Sequence, residues 1–348
     1  MTTRDNLKAH LDKLEAAFDP AWESRKLELW KRALECEPIE GGFLPRSDRA
    51  EPVIDDWPRV RVNAALHDPE AMLLQQLREV YRGVRARSWR IPGIRSNFGT
   101  GILSSVFGAP VFLMGENLDT LPTTRSLSAQ QITHLLSRGA PELTAGFGPA
   151  VFEYAQFFRE QFAPYRRIRE NVWFVHPDLQ GPIDVAELLW GSDLFYALSD
   201  EPDKVAALLE IITETYIRFM TRWLKENPSR EGGKYLTHWG LLAKGQVFLR
   251  NDSLMNLSRA TYERFVRPYD ARILAQFGGG GVHFCGKADH VASAMTESGG
   301  VTMLQVAQPE LNDMGKIIAA TLGRKVPLCC KLVESMRGFD LSRAFIRE

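Results

Sequence analysis

The sequence has no excess of either charge, few cysteines, no long apolar run and no nucleotide-binding glycine motif. Its 348 residues contain 43 Lys plus Arg and 43 Asp plus Glu. A chain without net charge has no overall electrostatic attraction to nucleic acid or to an anionic membrane surface. We therefore expect neither as a partner, and we expect a small-molecule substrate. A homo-oligomer is compatible with the sequence.

Two further absences concern the cellular compartment. No apolar run approaches the roughly 20 residues of a membrane-spanning helix, and the first residues, MTTRDNLKAH, lack the apolar core of a signal peptide. Four cysteines are too few for a disulfide framework in a chain of this length. We therefore expect a reduced, cytoplasmic protein. Cys36 lies among glutamates in a helical segment and is interpreted as structural.

The pattern of the chain changes near residue 90. Residues 1–90 are predicted to form a helical extension with loops between 37 and 58. A helix is predicted to begin at Asp68-Pro69, a long one near Asp200, and one at Ser258 with a kink near Pro268. In residues 91–348, short apolar runs alternate with helical patterns. The candidate strands are Val111–Met114, Val172–His176, Tyr235–Trp239, Val247–Leu249, Val282–Cys285, Thr302–Val306 and Val326–Cys329.

Alternation of strands and helices predicts parallel β/α units. The favoured fold is an α/β (β/α)8 barrel of the TIM type over residues 91–348, with the helical extension at 1–90. An open doubly wound sheet is the alternative. No GxGxxG or Walker A pattern follows the first strand, which disfavours a nucleotide-binding version.

Polar residues follow most of the predicted strands. In a barrel, residues just past the strand ends converge on one mouth, so we expect a polar ligand site there. The predicted substrate-binding residues are Arg95, Asn97, Asp178, Gln180, Asn251, Gln308 and Asn312. His176 and Glu310 belong to the same pattern, and Asp252 and His238 are the predicted catalytic residues.

Each of these residues also has a structural interpretation. His238 in YLTHWG is either a functional group or a core histidine packed on Trp239. Asp252 in LRNDS is either an acid, base or ligand anchor, or the cap of a turn. Asp178 and Gln180 lie in the Pro/Gly-bounded loop HPDLQGPID, where turn formation is the alternative to binding.

The segment GGGGVHFCGK combines glycines with two metal-binding side chains. The glycines allow a sharp turn from a helix into a strand. His283 and Cys285, two apart on a strand, are expected on one face, where both reach one zinc ion. Cys329 or Cys330 is the expected third ligand. The alternative is a buried cysteine beside a hydrogen-bonding histidine.

Four segments carry a resemblance to a known family: RSNFGTGILSSVFG, the run from HPDLQGPID to TETY, RNDSLMNLSRATYERFVRPYD, and VHFCGKADH with QVAQPELNDM. Over roughly residues 94–323 the chain resembles the uroporphyrinogen decarboxylase superfamily, which implies a (β/α)8 barrel with its site at the mouth. It lacks the arginine-rich RQAGR motif of the true decarboxylases. It is more similar to the branch of zinc-dependent methyltransferases, which work with a corrinoid protein.

The resemblance implies zinc bound by the HxC pair, His283 and Cys285, with a cysteine nearer the C-terminus. It also implies methyl transfer between a corrinoid partner protein, or another methylated donor, and a thiol or tetrahydrofolate-type acceptor. Two alternatives stay open: a metal-free lyase or decarboxylase of a small acid, and a non-catalytic binding subunit on the same barrel.

Overall fold

The computed structural model describes residues 3–39, 43, 49–50 and 53–348. Part of the predicted loop region between 37 and 58 lies outside the described residues. The helices run in chain order as α1 Thr3–Ala17, α2 Pro20–Leu34, α3 Val62–His67, α4 Pro69–Arg85, α5 Ile102–Val106, α6 Ala129–Arg138, α7 Gly148–Phe162, α8 Arg166–Asn171, α9 Pro182–Trp190, α10 Leu194–Asp200, α11 Pro202–Glu226, α12 Arg259–Phe265, α13 Arg267–Gln276, α14 Ala292–Glu297 and α15 Met314–Thr321.

The strands are short. They are β1 Gly93–Ile94, β2 Val111–Phe112, β3 Thr123–Thr124, β4 Trp173–Phe174, β5 Tyr235–His238, β6 Leu241–Lys244, β7 Val247–Arg250, β8 Gly280–Phe284, β9 Val301–Val306, β10 Leu328–Cys330 and β11 Phe345–Arg347. The chain is therefore a mixed α/β protein, as the sequence predicts.

One parallel sheet dominates the second half of the chain. Its strand order is β11-β10-β9-β8-β7, so each strand pairs with its neighbour in sequence. Three predicted strands correspond to β7, β8 and β9 within one or two residues. The prediction over 326–329 begins two residues too early, and β11 is missed because its run is only three residues long.

Two predicted strands pair antiparallel, unlike the strands of a barrel, and a third pairs in parallel with a strand that was not predicted. Tyr235–Trp239 forms an antiparallel hairpin with β6, because Trp239 and Gly240 both have positive φ and reverse the chain. Val111–Met114 contains only β2, which is exposed and pairs antiparallel with β3. Val172–His176 contains β4, which pairs in parallel with the unpredicted two-residue strand β1.

The five-stranded sheet has two different faces. Phe248, Met303 and Cys329 pack on one face with Trp30 of α2 and with β6. Alternate residues on the other face pack in a larger cluster with the helices, which also includes residues of α1 and α4. The period of two along each strand therefore separates an inner core from a helix-covered outer core.

The predicted helices are present. Asp68 caps α4 by accepting from the Glu70 N–H, and Ser258 caps α12 by accepting from the Thr261 N–H. The predicted kink near Pro268 is the boundary between α12 and α13, and the long helix α11 begins at Pro202 rather than at Asp200. Among the helices of the described ranges, none has the length and apolar character needed to cross a membrane.

The glycines before His283 act in two ways. Gly278 and Gly279 have φ of 69° and 91°, which is the predicted sharp turn out of α13. Gly280 and Gly281 allow a close approach of β8 to β7. A Cβ at Gly280 would lie 2.0 Å from the Val247 carbonyl oxygen, and one at Gly281 would lie 2.4 Å from the Phe248 ring.

Gly280→Ala is expected to destabilise the protein by more than about 3 kcal/mol, at the upper end of single-substitution effects. The added methyl group collides with backbone, which cannot move without breaking the β7–β8 pairing. Urea unfolding followed by circular dichroism measures the loss. Gly323→Ala is the control, since a Cβ there meets no atom within 4 Å. Equal stability of the two variants would contradict the close-approach argument.

Candidate metal and substrate site

The site lies where several strands end at the same edge. Arg95 follows β1, Asp178 follows β4, and Asp252 follows β7 by two residues. His283 is the fourth residue of β8, and Cys285 follows that strand directly. Parallel strands deliver their carboxyl ends to one side of a sheet, so residues far apart in sequence meet there.

Three of these residues bring metal-binding atoms together. The donor atoms of Asp252, His283 and Cys285 all lie within 4.8 Å of one another. His283 Nε2 is 3.3 Å from Cys285 Sγ and 3.3 Å from Asp252 Oδ1. The Cys285 N–H also donates to Asp252 Oδ1 at 3.0 Å, which orients that carboxylate towards the other two groups. The predicted His-Cys pair therefore has a carboxylate as its third member.

His283 is held by contacts on two sides. Its Nδ1 contacts Gln305 Oε1, and Gln305 Nε2 donates to Glu348 Oε2 at 3.1 Å. Gln305 Oε1 can accept a hydrogen bond from a protonated Nδ1. In that tautomer Nε2 carries the lone pair, on the side of the ring that faces Cys285 and Asp252. The Trp239 ring packs edge-on against the imidazole with centroids 4.8 Å apart.

The charges of the cluster differ among its members. Partial burial and the negative Asp252 raise the pKa of the Cys285 thiol to about 12, so the thiol is protonated at neutral pH in the metal-free protein. Burial opposes ionisation of Asp252, but His283 and Arg250 outweigh it and hold the pKa of that carboxyl below its usual range. The cluster combines a neutral thiol with a carboxylate.

A second cluster surrounds Asp178. Arg95 contacts both of its carboxylate oxygens, at 2.8 and 2.7 Å, and Arg250 Nη1 lies 3.1 Å from Oδ1. Burial opposes ionisation, but Arg95, His238 and Arg250 together lower the pKa of Asp178. Arg250 also lies over the Trp239 ring, 4.8 Å from its centroid. The predicted residue Asn97 accepts from Arg95 Nε at 3.3 Å.

The structure gives His238 a supporting position. It is fully buried, with Nε2 3.1 Å from Asp178 Oδ1, and its ring stacks on His176 and Phe248. Burial lowers the pKa of His238 to about 3 and that of His176 to about 4, so both are neutral at physiological pH. His176 Nε2 accepts from the Phe248 N–H at 2.9 Å. Both histidines fix the wall behind Asp178.

The two C-terminal cysteines are not in the metal cluster that the described residues form. Cys329 lies on the same sheet face as His283, but Gln305 stands between them in register. Cys330 points to the outer core, and both thiols are fully buried. The structure therefore places Asp252, rather than the expected Cys329 or Cys330, beside the His-Cys pair, because β9 separates β8 from β10.

Three predicted substrate-binding residues form hydrogen bonds with other groups of the protein. Asn312 uses both amide atoms on backbone groups of the loop 286–289 and of Gln308. Gln308 is exposed and its Oε1 accepts from the Gly286 N–H at 2.5 Å. Asn251 is fully buried and donates to Asp270 at 2.6 Å on α13, on the helix side of the sheet. Glu310 is exposed.

Some residues of the site were missed by the sequence analysis. Arg250 is the last residue of β7, and a strand prediction extended by one residue would have included it. Gln305 lies on the same strand face as Met303, and its register with His283 depends on strand pairing. Asp184, in the first turn of α9, accepts from the Asp252 and Ser253 N–H groups at 2.6 and 3.0 Å. It stands four residues past the predicted residue Gln180, at the end of the segment HPDLQGPID, and carried no motif of its own.

Asp178→Asn is expected to destabilise the protein by about 3–5 kcal/mol at neutral pH, because Arg95 and Arg250 lose their buried counter-charge. Since the folded pKa of Asp178 is below 3.8, the stabilisation is present above pH 3.8 and declines as pH falls below it. Urea unfolding at pH 7 and at acidic pH measures this. The exposed Asp55→Asn is the control, and an unchanged midpoint for Asp178→Asn would contradict the ion cluster.

Asp270→Asn is expected to stabilise the protein increasingly between pH 4 and pH 7. Burial raises the pKa of Asp270 to about 7, so the wild-type chain loses stability as pH rises from the unfolded value near 3.8 to that folded value. Each unit of difference corresponds to about 1.4 kcal/mol. Thermal unfolding across this pH range tests it. A constant offset at every pH would count against the shift, and the exposed Asp203→Asn serves as the control.

Comparisons with known proteins find similarity among solved structures. No family model and no curated protein matches the sequence. Among solved structures, a methyltransferase from Methanosarcina mazei matches with a TM-score of 0.57 and 17% sequence identity. The match covers 86% of this chain and 81% of that chain. At this identity the likeness concerns the fold, so the chain has a fold similar to that of a methyltransferase.

Proposed function

We propose that the protein is a zinc-dependent methyltransferase whose metal site is formed by Asp252, His283 and Cys285. The observation that carries the proposal is the convergence of a carboxylate oxygen, an imidazole nitrogen and a thiol sulfur within 4.8 Å. The methyltransferase of similar fold supports the reaction class. Three protein ligands with one position left for substrate are typical of catalytic zinc.

The donor set fits zinc by two criteria. A tetrahedral ion with bonds of roughly 2.0–2.3 Å separates its ligand atoms by about 3.3–3.6 Å, and the two Nε2 separations are 3.3 Å. Nitrogen, sulfur and carboxylate oxygen together suit zinc better than the hard cations Mg²⁺ and Ca²⁺. The Gln305 contact to Nδ1 adds the outer support that metal-bound histidines usually have.

We further propose that the strands close into a (β/α)8 barrel, with residues 1–90 as an extension of it. The sequential strand order supports closure, because a doubly wound sheet reverses its order at a switch point. Gly181 N donates to the Arg250 carbonyl, which joins the segment after β4 to β7. Phe43 bridges in parallel to Ile346 on the other edge of the sheet.

Zinc bound at this site would lower the pKa of a coordinated substrate thiol so that it reacts as a thiolate. The thiol would release its proton to solvent, its sulfur would form a bond to the methyl carbon, and the donor–carbon bond would break with its electron pair remaining on the donor. A corrinoid carried by a partner protein is the donor class we propose. A tetrahydrofolate-type acceptor is the alternative to a thiol.

The protein's own residues orient the reactants. Asp252 is held by Cys285 N–H, by Gln180 Nε2 at 3.3 Å and through its own N–H by Asp184. The Arg95–Asp178–Arg250 cluster forms a rigid polar wall beside it. Arg250 Nη2 is 3.8 Å from Asp252 Oδ2, so this wall and the metal cluster share an electrostatic boundary.

Purified wild-type protein is expected to contain near-stoichiometric zinc, measured by elemental mass spectrometry on untagged protein. Each of His283→Gln, Cys285→Ser and Asp252→Asn is expected to lose the metal, because each removes one ligand atom or its charge. Methyl transfer from a methylated corrinoid to a thiol is expected to disappear with the zinc.

Cys329→Ala is the matched control and is expected to retain zinc, since its thiol lies one strand beyond Gln305. Loss of zinc in Cys329→Ala but not in Asp252→Asn would show that the third zinc ligand is Cys329 rather than the Asp252 carboxylate. Turnover that survives both chelation and removal of Cys285 would instead favour the metal-free lyase.

A further inference from the structure

A cavity of about 550 Å³ opens beside the metal cluster. Asp252 and Gln180 line it, so it reaches the residues that the proposed function uses. Its other walls come from the helical segment α9 and from the turn after β7, residues 252–256, with Thr124 and Ser126. A substrate in this cavity would therefore lie against Asp252.

The cavity carries negative charge and no positive charge among the described residues that line it. Asp184, Glu187 and Asp252 contribute carboxyl groups, and the remaining polar groups are hydroxyls and amides. Such walls disfavour an acceptor with a sulfonate, phosphate or carboxylate end, because no lining cation compensates its charge.

The carboxyl groups have different roles. Asp184 is buried, and its oxygens already accept from the Asp252 N–H, the Ser253 N–H and the Ser253 hydroxyl. Glu187 is only half-buried, and its described partner is that same Ser253 hydroxyl. One hydroxyl hydrogen cannot satisfy both carboxyl groups. Glu187 is therefore the carboxylate that can accept from a ligand.

Gln180 gives a second, independent indication of a ligand. It is only 7% exposed, and its Nε2 donates to Asp252 at 3.3 Å. That contact fixes the amide orientation, because a carboxylate can only accept from the NH₂ group. Oε1 is then buried without a hydrogen-bond partner among the described residues. An unsatisfied buried acceptor costs about 1–3 kcal/mol, and a bound N–H donor would remove that cost.

The lining also restricts the kind of cation. No aromatic ring is among the described residues of the cavity wall, whereas quaternary ammonium groups are usually held by aromatic cages. Carboxylate and carbonyl acceptors instead suit groups with N–H hydrogens. Leu188 and Met255 provide apolar contact for the rest of the molecule.

We propose that this cavity binds the methyl-transfer substrate through an N–H-bearing cationic or amidine-like group, which donates to Glu187 and to Gln180 Oε1. The inference deepens the proposed function and relies on it for the reaction. Recognition by Glu187 and Gln180 places this group of the substrate in the cavity beside Asp252, because Gln180 itself contacts Asp252.

Three probes of one shape test this chemistry by isothermal titration calorimetry at pH 7. Benzamidine, benzamide and benzoate share a ring and differ in being cationic, neutral and anionic. Benzamidine is expected to bind most tightly and benzoate least. Glu187→Gln is expected to weaken the affinity for benzamidine at least about tenfold, the equivalent of one charged hydrogen bond. Its affinity for benzamide is expected to stay nearly unchanged.

Glu79→Gln is the matched control, because Glu79 is an exposed glutamate on α4 and lies outside the cavity. Glu187→Asp keeps the charge and is expected to keep the preference for benzamidine, which tests the proposal even if Glu187→Gln does not fold. Benzoate binding as tightly as benzamidine, or benzamidine binding unaffected by both Glu187 substitutions, would overturn it.

The same titration on Cys285→Ser separates this inference from the proposed function. Benzamidine selectivity is expected to persist there, because Glu187 and Gln180 do not need the metal. Selective binding of benzamidine by a wild-type protein that never holds zinc would support the proposed role of the cavity and reject the zinc-dependent methyltransferase. Zinc-dependent methyl transfer in a protein that shows no preference for benzamidine would support the methyltransferase and reject the proposed role of the cavity.

Discussion

The close approach of β8 to β7 is the constraint on which the site depends. Gly280 and Gly281 leave no room for a Cβ against Val247 and Phe248, so the two strands pair in a register that only glycine allows. That register pairs His283 with Arg250 and with Gln305. The positions of the candidate metal cluster, its supporting glutamine and the arginine wall therefore depend on two residues that carry no side chain.

Charge is balanced locally at the edge of the sheet where the carboxyl ends of the strands lie. Asp178 neutralises part of two arginines, Asp252 stands between Arg250 and His283, and Asp184 fixes the turn that carries Asp252. Burial of a charged group is energetically tolerable only when the group has a partner of opposite charge or a full set of hydrogen-bond donors. Gln180 Oε1 is a buried cavity-wall acceptor without a hydrogen-bond partner among the described residues, and Glu187 shares its Ser253 hydroxyl with Asp184, which is why both indicate a ligand.

The sequence predicted the strands with strong apolar runs and the His-Cys pair, because both depend on local periodicity. It could not predict β1, β3 or β11, whose two or three residues carry no pattern of their own. The third member of the candidate metal site was predicted to be Cys329 or Cys330 on residue type, whereas the structure brings in Asp252 through pairing between strands. Asn251 donates to the Asp270 side chain and Asn312 bonds to backbone groups, and the sequence does not distinguish an amide with such internal partners from one that binds a ligand. Arg250 and Gln305 entered the site only through strand register.

Trp239 has contacts that give the protein a built-in optical reporter. Its indole touches the His283 ring and lies under Arg250, and it occupies a turn with positive φ that fixes its position. A change in the charge or orientation of His283 alters the electric field at that indole. The emission of one tryptophan among eight is therefore coupled directly to the state of the candidate metal ligand, without any label added to the chain.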